Sequence, residues 1–90
     1  MVVKKSLPPT PAEMLQKELE KNKLSQRALA KKLGGSWTAP KVNDIVLGKR
    51  GLSVSSALDL EEVLDIPAEK WLKCQMESKL WEERKSREDG

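Results

Sequence analysis

Helix caps, glycines and a proline follow one another closely in residues 25–51, SQRALAKKLGGSWTAPKVNDIVLGKRG. Ser25 can cap a first helix by accepting hydrogen bonds from its free N–H groups, and Gly34 can end that helix in a left-handed conformation. A second helix is predicted to start near Ala39 or Pro40, because proline is tolerated only in the first turn. The stretch therefore predicts two short helices joined by a glycine-containing turn.

Each of these two predicted helices has one apolar side. The first spans residues 26–33, the second ends at Gly48, and the small side chain of Ala30 lets them cross closely. The inward positions are Leu29, Ala30 and Leu33 in the first helix and Val42, Ile45 and Val46 in the second. The outward positions of the second helix are Lys41 and Asp44, with Asn43 and Leu47 on the flank. Outward side chains on such a helix can reach base edges, as in the helix-turn-helix proteins that read DNA.

Length and composition indicate one small helical domain. A domain of 90 residues buries only about 60–65% of its unfolded surface, so a partner subunit would add stability. The chain has three Trp and no Phe or Tyr, so its core must come mainly from Leu, Val, Ile and Ala, which favours helices over a β-sandwich. The chain contains one cysteine, no apolar run long enough for a membrane span and no apolar signal sequence after MVVKK. A reducing cytoplasm is therefore expected, with no membrane partner.

Charge is distributed unevenly along the chain. Residues 23–51 hold seven Lys or Arg against one Asp, whereas residues 52–69 hold five acidic residues and no basic one. The basic block coincides with the two predicted helices, which suits a surface that displaces counterions from DNA phosphates. A solvated charged surface would show the same charge pattern.

Caps and apolar spacing predict three further helices. Thr10, Pro11 and Glu13 form a helix start with a capping box. The remaining predicted helices span residues 11–22, 54–64 and 68–85. Residues 1–9 are expected to be a flexible arm and residues 86–90 a frayed tail, which leaves residues 10–85 as the folded domain. The predicted fold is therefore all-α, with five helices.

The last helix carries two adjacent apolar stripes. One stripe contains Leu72, Met76 and Leu80, and the other contains Trp71, Cys74 and Trp81. A small domain seldom covers so wide a band alone, so one stripe is predicted to complete the core and the other to meet a second copy. The alternative is that both stripes are internal. The residues predicted at the dimer interface are Trp71, Leu72, Gln75, Met76, Leu80 and Trp81.

Residues suited to catalysis or metal binding are missing. There is no histidine, no phosphate-binding glycine motif and no cysteine pair for zinc, and Cys74 lies in an apolar stripe without an activating neighbour. Asp59, Glu61 and Glu62 in the fourth helix lack the spacing of a ligand set and are expected to form a solvated surface. The sequence argues against an enzyme and predicts neither a metal site nor a cofactor.

Four segments, TPAEMLQKELE, LSQRALAKKLG, VNDIVLGKRGLSVSSALDL and AEKWLKCQ, lie within about residues 10–81. Together they resemble a known family, the HigA-type (VapI-like) antitoxins of the Xre and lambda-repressor-like helix-turn-helix group. LSQ followed by LA and LG is shared by the wide repressor group. GKRG followed by SALDL and a late Trp-Leu is more specific to the antitoxin branch.

The resemblance implies a homodimer that represses its own operon at a palindromic operator and neutralises a HigB-like toxin, a RelE-fold ribonuclease that cuts mRNA. It places Gln26 on phosphate at the start of the first helix. Arg27, next to Gln26, is expected to attract DNA by its charge alone. The residues on or beside the reading surface are Thr38, Ala39, Lys41, Asn43 and Asp44, and the residues in a basic corner are Lys49 and Arg50. Lys41 and Asn43 are expected to contact DNA, with guanine and adenine as their base partners.

The segment GSWTAPK makes the turn between the two central helices about two residues longer than is usual in the family. Trp37 in this turn either packs against the DNA backbone or fills the space under the longer turn. Asp65 and Ile66 stand where relatives often carry a glycine and a hydroxyl residue, so the turn into the last helix is expected to differ.

Two other functions fit the same sequence. One is a stand-alone repressor of the Xre type, without a toxin partner. The other is a helical adaptor that binds only protein through the acidic fourth helix and the apolar fifth.

Overall fold

Five helices and no strand make up the described part of the chain, residues 9–89, in a computed structural model. The helices are α1 (Pro11–Asn22), α2 (Gln26–Leu33), α3 (Ala39–Val46), α4 (Val54–Leu64) and α5 (Ala68–Asp89). The all-α prediction is confirmed for these residues. Of the predicted arm at residues 1–9, all but Pro9 lies outside the described residues, as does Gly90.

A hydroxyl side chain starts each of the first four helices. In α1, Thr10 Oγ1 accepts from the Glu13 N–H at 3.1 Å, and Glu13 Oε1 accepts in return from the Thr10 N–H at 3.3 Å. The other caps are Ser25 for α2, Thr38 for α3 and Ser53 for α4. The four helices begin directly after these caps, at Pro11, Gln26, Ala39 and Val54, which confirms their predicted beginnings.

Backbone conformations with positive φ end three of the helices. Gly34 follows α2 at φ 69° and ψ −162°, a combination that is essentially restricted to glycine. Lys23 after α1 and Asp65 after α4 are left-handed despite their side chains, with φ of 54° and 61°. Asp65 therefore adopts the conformation that a glycine would adopt more easily.

Helix α5 starts at Ala68, as predicted, and ends later than predicted. Glu61 Oε1 accepts from the Ala68 N–H at 2.7 Å, so a carboxylate from α4 caps the start of α5. The helix continues to Asp89, four residues beyond the predicted end at 85. The tail predicted to fray is thus helical through Asp89, and an ion pair between Arg87 Nε and Glu83 Oε2 at 2.9 Å supports this last segment.

The core lies where all five helices meet. Its largest fully buried side chains are Leu15, Leu29, Val42, Ile45, Leu60 and Trp71. Every helix thus contributes at least one of them, so unpacking any helix from the core would expose apolar surface. Within residues 9–89, each helix is too short or too polar to cross a membrane.

Candidate nucleic-acid interface

Helices α2 and α3 pack against each other and carry the predicted reading surface. Leu29 and Ala30 of α2 and Val42 and Ile45 of α3 are all buried on the inner side of the pair. The outer side of α3 differs in detail from the prediction. Pro40 in its first turn and Leu47 just after its end are exposed, whereas Lys41, Asn43 and Asp44 are each half-buried.

A side-chain hydrogen bond joins the front of α2 to α3. Gln26 Nε2 donates to Asn43 Oδ1 at 3.1 Å, and both side chains are half-buried. This bond uses one N–H of the Gln26 amide and one lone pair of the Asn43 amide oxygen. The Asn43 amide keeps its two N–H donors and a second lone pair, which are the groups needed for a bidentate contact with adenine.

The long turn between α2 and α3 is built around Trp37. Its side chain is only 7% exposed and belongs to the core, and its indole N–H donates to Asp59 Oδ2 of α4 at 2.9 Å. Trp37 therefore fills the space under the turn. Its prediction as a DNA contact is corrected, because a side chain so deeply buried presents almost no surface to a ligand.

Lys41 lies against Trp37 on the outer side of the turn. Its Nζ stands 4.2 Å from the centre of a Trp37 ring, within the range of a cation–π contact. Thr38 Oγ1 caps the Lys41 N–H at 3.2 Å. Thr38 and Ala39, two predicted contact residues, lie at the start of α3. Thr38 is exposed and Ala39 is half-buried.

Lys49 and Arg50 form a basic corner after α3, as predicted. Both are exposed, and the Asp44 carbonyl oxygen accepts from their N–H groups at 2.8 and 3.3 Å. Arg50 Nη2 also lies 3.9 Å from Asp44 Oδ2, an exposed pair of the kind that contributes only about 0–1 kcal/mol. The Arg50 guanidinium is therefore free to exchange this partner for a phosphate. Arg27 is exposed on α2.

Comparisons with known proteins agree with this geometry. A family model described as helix-turn-helix matches residues 15–71. The antitoxin HigA of Pseudomonas aeruginosa, solved with the higBA promoter, is 35% identical with a TM-score of 0.80 over 91% of this chain and 88% of that one. The antitoxin GraA is 33% identical with a TM-score of 0.84, over 93% and 89% of the two chains. A HigA-family addiction module antidote protein from Coxiella burnetii is 30% identical with a TM-score of 0.74, over 83% and 80%.

This chain belongs to the HigA-type antitoxins. The family is one of Xre-type, lambda-repressor-like helix-turn-helix regulators and is not a known class of enzyme. A search among curated proteins finds no match.

The two stripes of α5 in this HigA-type antitoxin have different environments. Trp71 is 0% exposed and Cys74 is also buried, so these two residues of their stripe complete the core. Trp71 is thereby corrected from the dimer interface to the interior, where its indole N–H has no hydrogen-bond partner among the described residues. In the other stripe, Met76 is 59% and Leu80 42% exposed, while Leu72 is half-buried against the core.

Gln75, also predicted at the dimer interface, is half-buried, and its amide is engaged within the chain. The Leu52 N–H donates to Gln75 Oε1 at 2.7 Å, and Gln75 Nε2 donates to the Leu52 carbonyl at 2.8 Å. Trp81, half-buried on the last part of α5, remains a candidate for the dimer interface.

Cys74 is a packing residue in this environment. Burial, reinforced by the charges of Glu77 and Glu13, raises the pKa of its thiol. The thiol therefore stays protonated at neutral pH, and Sγ donates to the Pro9 carbonyl at 3.0 Å. Within residues 9–89, no group of three His, Cys, Asp or Glu side chains is placed to hold a metal ion.

The sequence does not reveal Asp59 as the partner of Trp37 or Leu52 as the partner of Gln75. It predicts Asp59 on a solvated acidic surface together with Glu61 and Glu62. In the structure Asp59 and Glu61 are half-buried acceptors, and only Glu62 is exposed. The signal that could have suggested a partner was Trp37 itself, since a buried indole N–H usually finds an acceptor.

Replacing Asp59 with alanine is expected to lower the free energy of unfolding by about 1–3 kcal/mol, because the buried Trp37 N–H loses its acceptor. Urea unfolding measures this change, with Glu62→Ala on the same helix as the exposed acidic control. In a Trp37→Phe background, which has no N–H to satisfy, Asp59→Ala should cost much less. An equal cost in both backgrounds would contradict a role for the hydrogen bond.

Proposed function

We propose that this HigA-type antitoxin binds DNA as a homodimer, represses its own toxin–antitoxin operon at a palindromic operator, and neutralises a HigB/RelE-like mRNA-cleaving toxin. The observation that carries the DNA-binding part is the Gln26–Asn43 hydrogen bond at 3.1 Å. It orients an amide on the outer part of α3 before any partner arrives. Such an amide suits base recognition better than core packing, since its remaining donors face no protein acceptor among the described residues.

The charges around α3 support contact with DNA phosphates. Lys49 and Arg50 are exposed at its end, and Arg27 is exposed on α2. Phosphate contacts need charge and reach more than a defined angle, so they hold the protein on the duplex while side chains of α3 reach bases. The HigA relative solved with its promoter supports the same use of this fold.

The exposed apolar stripe of α5 supports a homodimer. Met76 and Leu80 are large apolar side chains exposed on one helix, with Leu72 and Trp81 half-buried beside them. A second copy packed on this stripe would bury it and would pair two α3 helices for two halves of a palindrome.

Toxin neutralisation is supported by the family to which this chain belongs. The acidic α4 surface has the charge to meet a basic partner, although two of its carboxylates already serve internal hydrogen bonds. Neutralisation requires only a protein contact, so it can be tested separately from DNA reading.

The wild-type protein should prefer DNA from directly upstream of its own gene over a scrambled duplex, with affinity that falls steeply as salt rises. Lys41→Ala with Asn43→Ala should lower that preference by about 10- to 100-fold, because both base contacts are lost. Fluorescence anisotropy across a salt series measures both quantities. Lys17→Ala with Asn22→Ala is the matched control, since it removes the same side chains from exposed positions on α1. Equal wild-type affinity for both duplexes would contradict operator recognition.

Sedimentation equilibrium should give the wild type about twice the mass of one 10.1 kDa chain. Met76→Glu should shift it to the monomer, because burying an unpaired carboxylate in an apolar interface is unfavourable. Gln16→Glu adds the same charge on exposed α1 and should stay dimeric. A monomeric wild type, or a Met76→Glu protein that remains a dimer, would rule out this interface.

A small gene beside this one should encode a protein that arrests growth when expressed alone, and co-expression of this chain should restore growth. Counting colonies after induction measures the rescue. The Lys41→Ala, Asn43→Ala protein should rescue equally well, because neutralisation requires a protein contact and not base recognition. If operator binding holds but the neighbouring product is harmless, the chain acts as a stand-alone repressor.

A further inference from the structure

The loop that leads from α3 to α4 is held by α5 through a single side chain. Gln75 accepts from the Leu52 N–H at 2.7 Å and donates to the Leu52 carbonyl at 2.8 Å. Leu52 is buried at 5% exposure, so water has little access to satisfy these two backbone groups. A side-chain amide is well suited to this place, since it supplies one donor and one acceptor side by side.

The residues just before Leu52 are adapted to the same contact. A Cβ added to Gly51 would lie 2.9 Å from Gln75 Oε1, closer than side chains normally approach. Glycine at this position therefore allows the Gln75 amide to reach the loop backbone. The close approach, and not a positive φ, explains why a side chain is disfavoured here.

Lys49 and Arg50 lie between this contact and α3. Their N–H groups donate to the Asp44 carbonyl of α3 at 2.8 and 3.3 Å, and two residues later Gln75 holds Leu52. The basic corner is thus fastened at one end to α3 and at the other end to α5. Its own side chains remain exposed.

We propose that Gln75 is a positioning residue for DNA binding. From α5, the proposed dimerisation helix, it fixes the backbone position of Lys49 and Arg50. This inference rests on the proposed function of the basic corner. The bond to Leu52 fixes the backbone that carries the two cations, so they meet phosphates without first ordering the loop. The same bond makes the corner part of the rigid body that includes α5.

The test is a mutant cycle between Gln75 and the basic corner. Gln75→Met preserves side-chain length but removes the amide, and Gln16→Met is the control at an exposed glutamine of α1. Each change is made in the wild type and in a Lys49→Ala, Arg50→Ala background. Anisotropy with the upstream duplex measures affinity and its salt dependence, and circular dichroism with thermal melting checks that each protein is folded at the assay temperature.

In the wild-type background, Gln75→Met should weaken binding about tenfold and flatten the salt dependence towards that of the Lys49→Ala, Arg50→Ala protein. In the background without the two cations, it should weaken binding less than about twofold, because the residues it positions are gone. Gly51→Ala, which displaces the amide from the other side, should reproduce the effect. Amide hydrogen exchange at Leu52 should quicken in both variants.

Three results would overturn the inference in distinguishable ways. If Gln75→Met weakens binding by the same factor in both backgrounds, Gln75 acts on stability and not through the corner. If removing Lys49 and Arg50 leaves affinity unchanged, the corner does not bind phosphate. If the wild type binds no DNA, the proposed function fails together with the inference.

Discussion

Short helices that do not persist alone in water are the constraint on which this structure depends. Helices α2 and α3 have eight residues each, below the length at which an isolated helix is stable. Their stability comes from two sources: a side-chain cap at each start, and a buried stripe against the other helices. Ser25 and Thr38 supply the caps, and Leu29 and Ile45 lie in the shared core. The predicted reading surface therefore exists only as part of the whole domain.

The sequence predicts the parts of this fold that are decided locally. A capping hydroxyl starts each of α1, α2 and α4, a proline lies in the first turn of α1, and Gly34 follows the end of α2. These signals lie next to the helix ends that they mark, and all three helices begin and end where predicted. The length of α5 was underestimated because its last segment has no apolar stripe. That segment is supported instead by good helix formers and the pair between Arg87 and Glu83.

Side-chain partners distant in sequence could not be predicted in the same way. Trp37 and Asp59 are 22 residues apart, and Gln75 and Leu52 are 23 apart. No periodicity links such pairs, and the choice depends on how the helices cross. The same reason explains the error at α5, where two equally apolar stripes gave no sign that Trp71 faced inward. Among the candidate contacts, Lys49 and Arg50 were easier to place because exposure and charge suffice for their expected role.

The contact between Lys41 and Trp37 has a consequence for the entropy of recognition. A free lysine side chain samples many rotamers, and restricting them costs up to about 2 kcal/mol when a partner binds. In this protein the ammonium already rests 4.2 Å from the centre of a ring that is itself fixed by Asp59. Part of the ordering of Lys41 is thus completed when the chain folds. The long turn thereby reduces the rotational freedom that this cation still has to lose on meeting a ligand.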